Sequence, residues 1–169
     1  MAEKSVTQKL IDIVTGISTL MALIALFSMM ILITLDVILN KTISRPIPGT
    51  IETTTYYFMV LCVFLSIPYI EKCQSHISAD FIVIRFSKRT RYFYDILGKL
   101  FTIGFYSLLA YGAVIQAIKS TRRLETVMSN FTFYIWPARW GVAMGILFAI
   151  FVILMILLQL LKKYPDLKS

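Results

Sequence analysis

The chain has 169 residues, 58% of them hydrophobic, and a mean hydropathy of +0.78, which excludes a soluble domain, whose surface has to be polar. Its net charge of +8 would suit nucleic acid only if the Lys and Arg residues lined one face of a soluble fold. Here they fall between long apolar runs, the pattern of membrane topology.

Between Asp12 and Asp36 no residue is charged, and Ile13 to Leu35 is long enough to cross a hydrocarbon core about 30 Å thick. A first transmembrane helix is expected over about 11–39; it is too long for a cleaved signal peptide and reads as a retained helix. The second charge-free run, Thr53 to Ile70, is short for a crossing, so its helix is expected to start at Pro48 or Gly49 and to carry Glu52 in its first turn, over about 49–70. A carboxylate there is favoured by the helix N-terminus. Cys62 lies in this run and Cys73 beyond it; on one helix they would be about 16 Å apart, out of disulfide reach.

The segment after it, about 76–90, places His76, Ile77, Asp80, Phe81 and Ile84 on one helical side and ends in a basic cluster, Arg85, Lys88, Arg89 and Arg91. This predicts an interfacial helix facing anionic lipid. The third span runs over about 96–118, and Gln116 near its end suits an interhelical hydrogen bond. Next, Leu124, Val127, Met128, Phe131, Tyr134 and Ile135 recur at helical spacing opposite Arg122, Glu125, Thr126 and Ser129, which predicts an amphipathic helix over about 120–135. The fourth span, about 137–161, opens at Pro137. Tyr92, Phe93, Tyr94, Trp136, Trp140 and Tyr164 sit at span ends, where aromatic rings anchor to the interface.

The fold class is therefore all-α and integral to the membrane: one domain, 1–169, of four transmembrane helices with an inner interfacial and an outer amphipathic helix. An even number of spans puts both termini on one side, and Lys4, Lys9, Lys72, Arg85, Lys88, Arg89, Arg91, Lys162, Lys163 and Lys168 outnumber Lys41, Arg45, Lys119, Arg122, Arg123 and Arg139. The termini are expected in the cytoplasm.

Catalytic chemistry has little to work with. The single histidine excludes bis-histidine haem ligation within the chain, and a zinc site is not expected because Cys62 falls mid-membrane while Cys73 and His76 fall at the surface. No phosphate-binding glycine loop and no nucleophile paired with histidine is present, so neither an enzyme nor a cofactor site is expected. The helix centres lack the ionisable residues that mark transport paths. Asp36, Arg45 and Glu52 surround one short outer loop and read as a structural polar cluster. His76 and Asp80, four residues apart, read as a contact of the interfacial segment. Lys41, Arg45, Arg122 and Arg123 give the outer face a positive charge suited to docking a partner, while Leu124, Val127, Met128 and Phe131 would anchor the amphipathic helix.

The run Arg45-Pro46-Ile47-Pro48-Gly49-Thr50-Ile51-Glu52 opening the second span, His76-Ile77-Ser78-Ala79-Asp80 after it, and Tyr134-Ile135-Trp136-Pro137 before the last span resemble, in that order, the small membrane subunit (DctQ-type) of tripartite ATP-independent periplasmic (TRAP) transporters. The resemblance covers nearly the whole chain. It implies a non-catalytic scaffold subunit in the bacterial inner membrane. Its partners would be a large multi-span membrane subunit, which would bind the coupling sodium, and a periplasmic binding protein delivering organic acids. The alternative from the residues alone is a small self-contained carrier or channel formed by homo-oligomerisation, which would need polar residues lining a shared pore.

Overall fold

The computed structural model describes residues 6–77, 88–127 and 133–163. Four of its helical stretches are long and apolar enough to cross a membrane. The first is α1 (Val6–Ile43). The second is assembled from α2 (Thr50–Thr53), one turn of π-helix (Thr54–Phe58) and α3 (Met59–Ile77). The third is α4 (Lys88–Arg123) and the fourth α5 (Trp136–Lys163), preceded by two short strands, β1 (Thr126–Val127) and β2 (Phe133–Tyr134). Helix is dictated by the solvent, because in hydrocarbon every backbone N–H and C=O has to be satisfied within the segment itself. Several hydroxyls inside the spans follow the same rule: Thr15, Thr34, Ser66 and Thr102 each donate to the carbonyl one turn back, at 2.7, 2.7, 2.6 and 2.9 Å, whereas the buried hydroxyls of Thr19, Thr54 and Ser120 have no hydrogen-bond partner.

The loop between α1 and α2 is closed by local chemistry. Gly49 takes the left-handed conformation, φ 86°, as helix cap, and Glu52 falls in the first turn of α2. Asp36 reaches across from α1, its Oδ1 accepting from the Ile47 N–H at 2.6 Å.

The last helix is the hub. α5 packs against α3, α4 and α1, and α1 also packs on α3, whereas among the described residues α1 and α4 share no extended interface. Accordingly 44% of the most apolar stretch of α5 is buried, against 11% in each of the other spans. The α3–α5 contact depends on small residues. A Cβ on Gly145 would stand 2.5 Å from the backbone oxygen of Phe64, and one on Gly141 would stand 2.6 Å from Leu61 Cδ2. Ala138 and Ala149 are also buried on α5. Gly141, Gly145 and Ala149 follow one another at four-residue spacing, the pattern that lets two backbones touch. On α3, Pro68 is fully buried inside the helix; lacking an N–H, it leaves the carbonyl of Phe64, four residues back, without its helical donor. That is the carbonyl against which Gly145 lies. α1 joins through an equally small stripe, Thr15, Ser18, Ala22 and Ala25, with Ile11 meeting Val152 and Ile156 of α5.

Two sequence expectations need correction. The segment 120–135 is not one amphipathic helix: α4 continues to Arg123, and Thr126–Tyr134 and Val127–Phe133 pair as an antiparallel ladder. Leu124 leaves the helix in the left-handed conformation, φ 46°, with Glu125 N–H on the Ser120 carbonyl at 3.1 Å and Leu124 N–H on the Thr121 carbonyl at 3.3 Å. These two bonds close a helix C-terminus and turn the chain out of its axis. The stripe of anchors is therefore not presented by a helix; Leu124 is exposed, Val127 belongs to β1, and Met128 and Phe131 lie outside the described residues. Gln116 is exposed on α4 rather than set in a helix contact. The inner segment 76–90 lies mostly outside the described residues, which include only the last turn of α3 and the first of α4.

Replacing Gly145 with Ala forces α3 and α5 apart, whereas Gly104, which has open space around it, takes a methyl freely and gains helix propensity. Thermal unfolding in detergent should show Gly145→Ala destabilised by about 1–3 kcal/mol and Gly104→Ala unchanged or stabilised by up to about 1 kcal/mol.

Candidate docking site and the polar ends of the bundle

Polar interactions gather at the two ends of the bundle. At the end holding the start of α1 and the end of α5, Lys72 of α3 pairs with Asp12 of α1 at 2.7 Å, both side chains about one-third exposed. Its neighbour Glu71 points the other way and is 5% exposed. Glu71 Oε1 accepts from the Tyr106 hydroxyl of α4 at 3.0 Å, and Lys99 Nζ stands 3.6 Å from Oε2. The latter contact exceeds hydrogen-bond length, and Oε2 has no hydrogen-bond donor, so Lys99 acts on it as a nearby charge. In the sequence Glu71 and Lys99 stand only as the charged residues that bound apolar runs. Their encounter depends on α3 and α4 both packing on α5, which brings these long side chains within reach and which a single sequence does not show.

At the opposite end the strand pair is fastened to three helices. Arg139 of α5 binds Glu125 through Nη2 and Oε1 at 2.8 Å, and the Ile135 N–H donates to the Glu125 carbonyl at 2.9 Å. Trp140 Nε1 donates to Thr121 Oγ1 at 3.0 Å, tying α5 to the last turn of α4. Tyr57, in the π-helical turn, donates its hydroxyl to the Tyr134 carbonyl and sets its ring edge-on to Phe133, with centroids 5.1 Å apart. Arg122 and Arg123, in the last turn of α4, are exposed at this end, as are Lys41 in the last turn of α1 and Arg45 in the following loop. The strand pair is thus braced, with exposed basic side chains at the same end of the bundle.

Asp36 holds the loop that carries Arg45, through the Ile47 backbone, while Arg45 is exposed and Glu52 half-buried in α2. His76 falls in the last turn of α3, and Asp80 lies outside the described residues. Among the described residues no group of three or more His, Cys, Asp or Glu side chains converges to hold a metal.

Residues 29–163 match the family described as tripartite ATP-independent periplasmic transporters, DctQ component. The chain belongs to this family. It is thus a multi-pass membrane component of a TRAP transporter, as the motifs around Glu52, His76 and Pro137 imply. No curated relative and no solved structure matches this DctQ chain.

Removing Glu71 leaves Lys99, whose side chain is 14% exposed, without its counter-charge. Glu71→Ala should destabilise the DctQ chain by about 3–5 kcal/mol, and Lys72→Ala, at the half-exposed pair, by about 1 kcal/mol or less; unfolding midpoints of the two variants measured side by side check the order.

Proposed function

We propose that the chain is the small scaffold subunit of a sodium-coupled TRAP transporter that imports organic acids across the bacterial inner membrane. The observation that carries this reading is where its polar chemistry lies. Its ion pairs join its own elements at the two ends of the bundle, and the spans between those ends carry no charged side chain along which a solute or ion would move. Such a chain packs against a carrier and orients it. The sodium and substrate sites then belong to a large multi-span membrane subunit, and this subunit holds no cofactor of its own.

In this reading both termini face the cytoplasm, following the excess of Lys and Arg there, and the strand pair faces the periplasm. A periplasmic binding protein carrying the organic acid docks on Lys41, Arg45, Arg122 and Arg123, whose charge steers its approach and sets its orientation. Asp36, Arg45 and Glu52 hold the first two spans at that interface, and the basic residues at the cytoplasmic end meet anionic lipid.

Affinity purification of the tagged chain from its native membrane should bring down a stoichiometric large hydrophobic subunit. Recovery as a homo-oligomer alone would favour a self-contained carrier. In the assembled transporter, Arg122→Glu combined with Arg123→Glu should slow uptake at low binding-protein concentration and alter its salt dependence, with the membrane complex intact. Wild-type uptake at every binding-protein concentration and ionic strength would remove these residues from the docking site.

A further inference from the structure

The turn of π-helix in the second span has none of the common sequence causes of helix irregularity: Thr54-Thr55-Tyr56-Tyr57-Phe58 contains neither proline nor glycine. Its defining bond runs from the Met59 N–H to the Thr54 carbonyl, five residues back. One residue is thereby added to the turn, and everything on its N-terminal side is rotated relative to α3. The side chain this turn delivers to another element is that of Tyr57. Its hydroxyl donates to the Tyr134 carbonyl in β2, and its ring meets Phe133 of the same strand. β2 is paired to β1, and β1 follows Arg122 and Arg123 after a two-residue turn. The second fastening of that turn, Glu125 to Arg139, comes from α5. The strand pair is therefore held from the α4 and α5 side by Trp140 and Arg139, and from the second span by Tyr57.

We propose that Tyr57 is a positioning residue for partner docking: the π-helical turn aims its phenol at β2, so that the arginine edge at the end of α4 is presented in a fixed orientation to an acidic surface of the periplasmic binding protein. The inference rests on the docking reading given above. Tyr57 itself touches no partner. It limits the orientations the strand pair samples, so the partner does not have to select the competent one from a mixture. Two contacts contribute, the hydroxyl bond and the ring edge, and they are separable by mutation. Tyr57→Phe removes the bond and keeps the ring; Tyr57→Ala removes both.

The test uses the complete transporter in proteoliposomes, with uptake followed as a function of binding-protein concentration. Tyr57→Phe should raise the half-saturating binding-protein concentration about 2- to 10-fold, the equivalent of one hydrogen bond. Maximal uptake, the salt slope of that concentration and the melting temperature of the membrane complex should stay at wild-type values, because no charge is altered. Tyr57→Ala should raise it further, and a nitroxide attached at position 123 should become more mobile in both variants. Unchanged half-saturation in Tyr57→Phe and Tyr57→Ala, while the Arg122→Glu, Arg123→Glu double variant shifts it, would overturn the positioning role and leave docking at the arginines standing. No shift in any of the three would remove the docking reading as well. A loss of maximal uptake that tracks a lower melting temperature would make Tyr57 a packing residue and overturn the proposal.

Discussion

The architecture depends on one backbone contact, Gly145 of α5 against the Phe64 carbonyl of α3. In a membrane there is no hydrophobic drive for one helix to leave lipid for another, so helices associate through close packing and the few polar bonds they can make. Pro68 deprives the Phe64 carbonyl of its helical donor, and a glycine lets the facing backbone come up to it. Once α3 and α5 meet there, the positions of the others follow. α1 lays its stripe of Thr15, Ser18, Ala22 and Ala25 along the pair, and α4 takes the remaining side of α5, held to α3 by Tyr106 and Lys99 reaching Glu71.

The same economy separates the two ends from the middle. Charged groups are costly in hydrocarbon, and in this chain they serve as fasteners where the helices emerge. Asp12 with Lys72 and Glu71 with Lys99 close one end, and Glu125 with Arg139 closes the other. A transporter that moves its cargo through its own bundle places such groups at the middle of the membrane. Here the fasteners sit at the two ends of the bundle and leave the described middle of each span free of charge.

Much of this was legible in the sequence, for physical reasons that differ from element to element. The spans announced themselves because charge is excluded from the hydrocarbon core, and Gly49 and Glu52 marked the start of the second one because a helix N-terminus favours such residues. The family could be read from short motifs at the span ends. The strand pair is not legible in the sequence because the apolar residues at 124, 127, 128 and 131 fit a helical period over a stretch too short for periodicity to decide. The deciding feature was backbone conformation at Leu124, where a leucine takes a position usually given to glycine. The π-helical turn left no compositional mark, and the Glu71 cluster required knowing which helices are neighbours.

The central claim is that this chain organises a transporter without carrying solute itself, and reconstitution tests it most directly. Proteoliposomes containing the purified chain alone, at the density used for the complete complex, should show no sodium-driven uptake of organic acid. Adding the large membrane subunit and the binding protein should restore it. Saturable, sodium-dependent uptake by the chain alone would contradict the account.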